Sequence, residues 1–489
     1  MDSNQKQDKF KLFVENFIIY GFGSVIGKII PLIMLPIITR LMPDTAYFGI
    51  NDLSGTVASF GAAFAIMGMY DAMYRMFFEK EELQYKKTIC STTLLFTIIT
   101  SLTVALIIIV SRSFIAKYVF RDLQYDYVVL ISAIAVLVSA TNTIVSAPTR
   151  MQNKRKVYIV TNTVAPIVAY TIAIMFIKNG YYIVALPLAL LTSSASIEVI
   201  FLILNKEWFD FKLFDKELLK KMLVIAVPLL PNFLVYWLFT SCDKLMITAF
   251  IGVGAEGVYS IGAKLGHMSQ LIYTAFAGGW QFFAFSTMKE EHQTESNSRV
   301  LEYLGVISFA ASIIMFTLAK PIFKIMFEGD YVNGYVVAGY LFMAPLVQML
   351  FQVAANQFLV IKKTWPSMFI LMCGALVNVV LNYVLIPVLD IEGAAIATLL
   401  GYVVSVILCC LVLFRMNLVV ITKRFLLVST LTIAYILLWR LVMYPNTIIS
   451  FAVAAVIAII MGFMYREELK FIIKRIRSLT KTTQSIENN

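Results

Sequence analysis

Apolar runs of about 20 residues or more follow one another along almost the whole chain, separated by short polar breaks. They lie at 14–41, 47–77, 89–110, 125–146, 158–177, 183–205, 222–251, 256–285, 300–327, 333–361, 365–388, 391–414, 425–443 and 446–465. A hydrocarbon core about 30 Å thick needs about 20 apolar residues in a helix, so each run predicts one transmembrane span, about fourteen in all. The second, seventh and eighth runs exceed that length, which predicts tilt or kinks. The first 13 residues are polar and no small-residue cleavage site follows the first run, so that run is expected to stay in the protein. Composition points the same way: 60% of residues are hydrophobic and 14% charged, against about 25% charged in a typical globular chain.

The basic residues orient the spans. Of 40 Lys and Arg, 28 fall on one side if the N-terminus is cytoplasmic, and eight on the other: Arg40, Arg112, Lys117, Arg121, Lys178, Lys320, Lys324 and Arg440. That asymmetry is what the positive-inside rule requires, and it predicts both termini in the cytoplasm. The net charge of +11 is thereby accounted for by anionic headgroups, and no nucleic-acid partner is implied. The five cysteines all lie in apolar runs, without CxxC or metal-ligand spacing, and read as packing residues.

The break at 206–221 divides six spans from the rest, and its aromatic and charged residues alternate as in an interfacial amphipathic helix. Beyond it the pattern restarts. Ile38–Thr39 before Gly49 is matched by Ile247–Thr248 before Gly257, an offset of about 209, and the basic loop at 154–156 by Lys362–Lys363, an offset of about 207. The expected fold is therefore an all-α polytopic membrane protein: two six-helix lobes in parallel repeat and two extra C-terminal helices. Residues 1–205 form the first lobe and 206–415 the second with its leading linker. Residues 416–489 hold spans thirteen and fourteen and a basic tail.

Charge inside a membrane costs about 2.5–3.5 kcal/mol on insertion scales and marks function by default. At 1.5 Å per residue, Lys28 lies near the midplane of span one, and Lys264 and His267 share a face of span eight at i,i+3 spacing. Asp71 and Arg75 form an i,i+4 pair near the inner end of span two. Asp243 and Lys244 point about 100° apart, so they face different partners; Asp243 is expected to face inward and pair with a basic group. Arg40 and Asp52 lie near the outer surface, as a gate or as helix anchors. Asn16, Asn232, Gln281, Asn356, Gln357, Asn378 and Asn382 are polar groups within spans, suited to sugar hydroxyls or to joining helices. Pro31 and Pro36 in span one, and Pro228 and Pro231 in span seven, read as hinges at corresponding places in the two lobes.

Three segments carry a family likeness: Pro31–Gly49 (PLIMLPIITRLMPDTAYFG), Cys242–Leu265 (CDKLMITAFIGVGAEGVYSIGAKL) and Leu381–Thr398 (LNYVLIPVLDIEGAAIAT). In these the chain resembles the polysaccharide-transport branch of the MOP exporter superfamily, the Wzx-type O-antigen flippases. The resemblance implies a MATE-like fold in a bacterial cytoplasmic membrane. It also implies a flippase for undecaprenyl-diphosphate-linked oligosaccharide, working with glycosyltransferases and a polysaccharide polymerase, for O-antigen, capsule or exopolysaccharide. On that reading Lys28 and Lys264, with Arg75 and His267, line a cationic cleft for the diphosphate head. Arg40, Asp52, Asp71, Asp243 and Lys244 serve gating or charge pairing.

No cofactor is expected. The chain has no GxxxxGK[ST] and no loop long enough for a nucleotide domain, so transport must draw on the membrane potential, an H+/Na+ gradient or removal of product. A multidrug/ion antiporter of the same fold is the rival transporter; it would favour carboxylates and aromatics in its cleft. A membrane polymerase or ligase would need a large outer loop or a carboxylate cluster, and no DxD motif occurs.

Overall fold

The computed structural model describes residues 29–152, 154–286, 292–363, 365–444, 446–468 and 470. Among them there is no strand, and the chain runs as seventeen α-helices with short 3₁₀ and π turns. They are α1 (Ile29–Leu41), α2 (Thr45–Ile66), α3 (Met69–Phe77), α4 (Leu83–Val110), α5 (Arg112–Val119), α6 (Asp126–Met151), α7 (Arg155–Lys178) and α8 (Tyr182–Leu204). After the linker come α9 (Lys216–Ala226), α10 (Leu230–Phe250), α11 (Val253–Gly266), α12 (Ser269–Ser286), α13 (Gln293–Met326), α14 (Tyr335–Val360), α15 (Trp365–Arg415), α16 (Lys423–Leu438) and α17 (Thr447–Met464). Ten described helical segments are long and apolar enough to cross a membrane, eleven if α2 and α3 are one span bent by 46°. The protein is a multi-pass membrane protein.

Helix starts repeat along the chain. Thr45 and Val253 are 208 positions apart, Leu83 and Gln293 210, Asp126 and Tyr335 209, Arg155 and Trp365 210, and Tyr182 and Ile391 209. The 51-residue α15 holds two of these repeat units, broken at Asp390, whose φ of 58° and ψ of −143° are non-helical. Both long second spans of the repeats are broken as well: α2 into α3 at Met67 and Gly68 (φ 50° and 74°), α11 into α12 at His267 and Met268. Their excess length is thus used for a bend, as tilt or kinking predicts.

Burial follows the repeats. Ile50, Leu53, Val129 and Val136 pack together in the first; Phe239, Phe316, Tyr340 and Tyr402 do so in the second. A further cluster crosses between them, joining Leu35, Ile38, Met42 and Phe48 to Ile261, Leu265, Phe323 and Phe327. α16 and α17 both lie against α13. Polar bonds tie them to α13, Thr317 Oγ1 with Tyr435 Oη at 2.6 Å and Tyr465 Oη donating to Glu302 Oε1 at 2.6 Å, and to α15, Arg440 Nε against Glu392 Oε1 at 2.6 Å.

Two expectations change. The 206–221 linker is not one amphipathic helix: it makes 3₁₀ turns at Lys206–Trp208 and Phe211–Leu213, and a helix begins only at Lys216, capped by Asp215. The linker docks on the first lobe, where Asp210 N donates to Ser91 Oγ at 2.9 Å and Asp215 N to Thr92 Oγ1 at 3.1 Å. Those bonds satisfy backbone groups that an interfacial helix would have bonded internally. The proline pairs are not equivalent either. At an offset of 208, Pro31 and Pro36 correspond to Phe239 and Lys244, whereas Pro228 lies within the 3₁₀ turn Val227–Leu229 that separates α9 from α10, and Pro231 in the first turn of α10.

Candidate functional site

α2 and α11 begin at equivalent points of the repeats, and there they meet. Asp44 caps α2, accepting from Ala46 N at 2.9 Å; Gly252, at φ 136°, turns the chain into α11. The crossing leaves no room for side chains. A Cβ on Gly49 would lie 2.1 Å from Val253 O, and one on Gly257 would lie 2.0 Å from Thr45 O. Gly49 and Gly257 are 208 apart, as are Thr45 and Val253, so the contact is the same on both sides. Beyond the crossing the two spans part, α3 packing on α9 and α4 while α12 packs on α14. A cleft between the repeats thus narrows to the α2–α11 crossing, which is the outer end on the orientation expected from the basic residues.

One turn beyond Gly49, Asp52 points into this junction and is 8% exposed. Lys264 of α11 donates to its Oδ1 at 2.6 Å, and Lys244 of α10 meets Oδ2 at 2.6 Å, off the hydrogen-bonding direction. One buried carboxylate of the first repeat thereby holds two ammonium groups of the second. Lys264 is held further by Ser260 Oγ at 3.2 Å and by the ring of Phe48, 4.9 Å away. Glu256, fully buried on the first turn of α11, has neither oxygen hydrogen-bonded. Asp243 accepts from Tyr259 Oη and from Lys244 N. The inward Asp243 is therefore satisfied by a phenol and not by a basic side chain, because the neighbouring lysine is turned to Asp52. Three carboxyls and two ammoniums meet at this junction.

Other expected site residues lie elsewhere. Lys28 falls outside the described residues. Arg75 is exposed on α3, 23 positions from Asp52, roughly 30 Å along the span, and does not join the two lysines. No ion pair links it to Asp71. Asp71 sits in the first turn of this nine-residue helix and Arg75 in the last, where each charge complements the helix dipole. His267 ends α11, its N–H bonded to Ala263 O at 2.8 Å. Arg40 pairs with Glu328 at 3.1 Å and not with Asp52; both partners are exposed and the pair ties α1 to the loop after α13. Nearby, Tyr331 Oη donates to Asp44 O at 3.2 Å, a second tie at the same end of the molecule. Among the amides expected in spans, Asn378 donates to Thr398 at 3.1 Å, and Gln357 and Asn382 are fully buried within the second repeat.

Sequence reasoning passed over Glu256, Tyr259 and Ser260, although the motif at 242–265 contains them. It also passed over a polar stripe on α6: Ser139, Asn142, Thr143, Ser146, Thr149 and Arg150, spaced by three and four. Two cavities share Ser139. One, about 330 Å³, reaches Asp52 and Lys264; the other, about 400 Å³, runs along the stripe to Arg150.

Comparison with known proteins fits this architecture. The family described as polysaccharide biosynthesis protein matches residues 37–335, over half of the chain. The chain belongs to this family. No curated protein matches. Among solved structures, the lipid II flippase MurJ in its inward closed conformation superposes with a TM-score of 0.68 at 15% identity, covering 94% of this chain and 99% of that one. An inward-facing multidrug resistance MATE family transporter gives 0.63 at 14% identity, over 81% and 94%. A MOP superfamily transporter from Pyrococcus furiosus gives 0.60 at 14% identity, over 83% and 95%. The polysaccharide biosynthesis family member described here thus has the fold of the MOP superfamily.

Proposed function

We propose that this protein is a flippase that carries a polyprenyl-diphosphate-linked oligosaccharide from the cytoplasmic to the outer leaflet of a bacterial cell membrane, for assembly of a surface polysaccharide. The observation that carries the reading is Asp52 holding Lys244 and Lys264 across the junction of the repeats. Lys264 is the accessible member of the pair, with 36% of its side chain exposed, and it also lines the cavity below Asp52. A diphosphate entering from the wide end meets Lys264 first. It brings more negative charge than one carboxylate and charge-assisted hydrogen bonds to the ammonium. As the lysines turn to the diphosphate, Asp52 loses its counter-ions and the tie between the repeats weakens at its narrow end. The head group thus opens the gate that its own charge replaces.

An apolar cleft of about 220 Å³ between α13 and α17, lined by Ile313, Leu318, Phe451 and Met461 among others, suits a hydrocarbon chain that remains in the bilayer. The proposed energy source is the membrane potential, which favours outward movement of anionic charge by about 2.3 kcal/mol per charge per 100 mV, or an H+/Na+ gradient. Glycosyltransferases would supply the substrate and a polysaccharide polymerase consume it.

The test is complementation of a strain that lacks its own flippase for the cognate glycan. Lys264→Ala and Lys244→Ala are expected to abolish surface glycan while the protein remains at normal membrane levels. Full glycan display by both variants would overturn the assignment.

A further inference from the structure

The α6 stripe carries the inference furthest, and it rests on the flippase reading above. Two of its hydroxyls have no proton left to donate. Thr143 Oγ1 donates to Ser139 O at 2.8 Å and Ser146 Oγ to Thr143 O at 3.3 Å, so each hydroxyl has spent its only proton on its own helix. Thr149 Oγ1 accepts from Asn205 Nδ2 at 2.8 Å. Asn142 Oδ1 is buried in the same wall and accepts no hydrogen bond. A hydroxyl that has donated still offers acceptor lone pairs, so Thr143 and Ser146 present acceptors to the cavity, with the Arg150 guanidinium at its far end. Such acceptors suit a ligand rich in O–H donors, and Arg150 can donate to the ring and hydroxyl oxygens of the same ligand. Tyr70, whose Oη accepts from Arg150 Nη1 at 3.4 Å, and Phe201 add aromatic and apolar surface to the same cavity. Its volume of about 400 Å³ lies within the usual range of small-molecule sites, about 300–1,000 Å³.

We infer that this cavity is a saccharide subsite: Asn142, Thr143 and Ser146 accept hydrogen bonds from the hydroxyls of the sugar attached to the lipid diphosphate, and Tyr70 packs on its apolar face. The placement fits the ligand. From Ser139 to Arg150 the stripe runs eleven positions, about 16 Å along α6. It leads away from the cavity that holds Asp52 and Lys264, and Ser139 belongs to both. Lys264 for the diphosphate and the Thr143–Ser146 acceptors for the sugar thus lie end to end, in the order in which the substrate carries the two groups, with Arg150 beyond them.

The experiment uses the full chain, purified into lipid nanodiscs, and two probes: undecaprenyl diphosphate, and the same lipid bearing one N-acetylhexosamine. Two to three hydrogen bonds predict that the parent binds the sugar-bearing probe about ten-fold more tightly. Thr143→Val with Ser146→Ala, with or without Asn142→Leu, is expected to bring that ratio to about one and leave affinity for the bare diphosphate unchanged, which also shows that the variant is folded. A parent with no preference, or a variant that keeps it, overturns the subsite. Lys264→Ala separates the two readings: it should weaken both probes alike and keep their ratio. If Lys264→Ala binds both normally while the stripe variant loses the preference, the diphosphate assignment fails and the saccharide subsite stands.

Discussion

Replacing Asp52 by Asn removes the anion that holds the two repeats together at their narrow end. At 2.6 Å and an effective dielectric of 20, each contact to Lys244 and Lys264 is worth about 6 kcal/mol before desolvation. Most of that is cancelled by dehydration, and deleting one partner of a buried pair costs about 3–5 kcal/mol in practice. The lysine side chains keep 21% and 36% exposure, which puts the net effect at the lower end, about 3 kcal/mol. The penalty falls on the closed gate alone, because water solvates both ammoniums once it opens. About 3 kcal/mol corresponds to a shift of roughly a hundred-fold towards the open form. Ser260→Cys supplies the reporter, since Ser260 is 1% exposed within the junction. Labelling of that cysteine in intact cells by an impermeant maleimide, after subtraction of the parent's five native cysteines, should accelerate by a comparable factor in Asp52→Asn. Asp71→Asn, at an exposed position of α3 far from the junction, should leave the rate unchanged. Equal labelling in Asp52→Asn and its parent would refute the view that Asp52 holds the gate shut.

Gly49→Val or Gly257→Val places atoms where the backbone of the facing helix already lies, 2.0–2.1 Å from the Cβ. Either variant should lose transport and show raised outside labelling, whereas Gly55→Ala, with open space around it, should do neither. Arg440→Leu leaves Glu392, 8% exposed at its side chain, with Tyr340 as its remaining hydrogen-bond partner at 3.0 Å. A loss of about 3 kcal/mol is expected, read as a lower Tm of the purified protein, and Glu392→Gln should cost less because the charge it leaves unpaired, Arg440, is 40% exposed. Tyr435→Phe removes the 2.6 Å bond to Thr317 and should lower stability by about 1 kcal/mol. An unchanged melting temperature in all three would show that α16 is held by apolar packing alone.

The repeat period and the succession of spans are legible because each depends on hydropathy summed over about 20 positions or on spacing; against fourteen expected spans, ten or eleven described segments qualify. The offset near 209 between Thr39 and Thr248 is reproduced by helix starts from Thr45 and Val253 to Tyr182 and Ile391. Which charges meet was not legible. Lys264 and Asp52 are 212 residues apart, and only the glycine crossing brings them together. Arg75 joins Lys264 in the expected cleft only as another cation within a span; its place near the inner end of span two already puts it 23 positions from Asp52, and the structure keeps it there. The α6 stripe was written at three-and-four spacing. It was overlooked because serine and threonine in a membrane helix bond their own backbone, which makes them nearly silent in hydropathy. The linker misled for a different reason: alternating aromatic and charged residues describe a surface segment as well as a helix, and Ser91 and Thr92, far off in sequence, decide between them.

The glycine crossing has one more consequence. Thr45 against Gly257 and Val253 against Gly49 form the pattern that an isologous dimer shows at its two-fold axis, where residue i meets j and j meets i. Here both copies sit in one chain, so the seal is an internal homodimer interface. The two glycine contacts are counterparts across the axis, so separating the halves breaks both together. The charges do not share that symmetry: at the same offset Asp52 is matched by Ser260 and Lys264 by Thr56, so the lock on this two-fold seal is carried by one side alone.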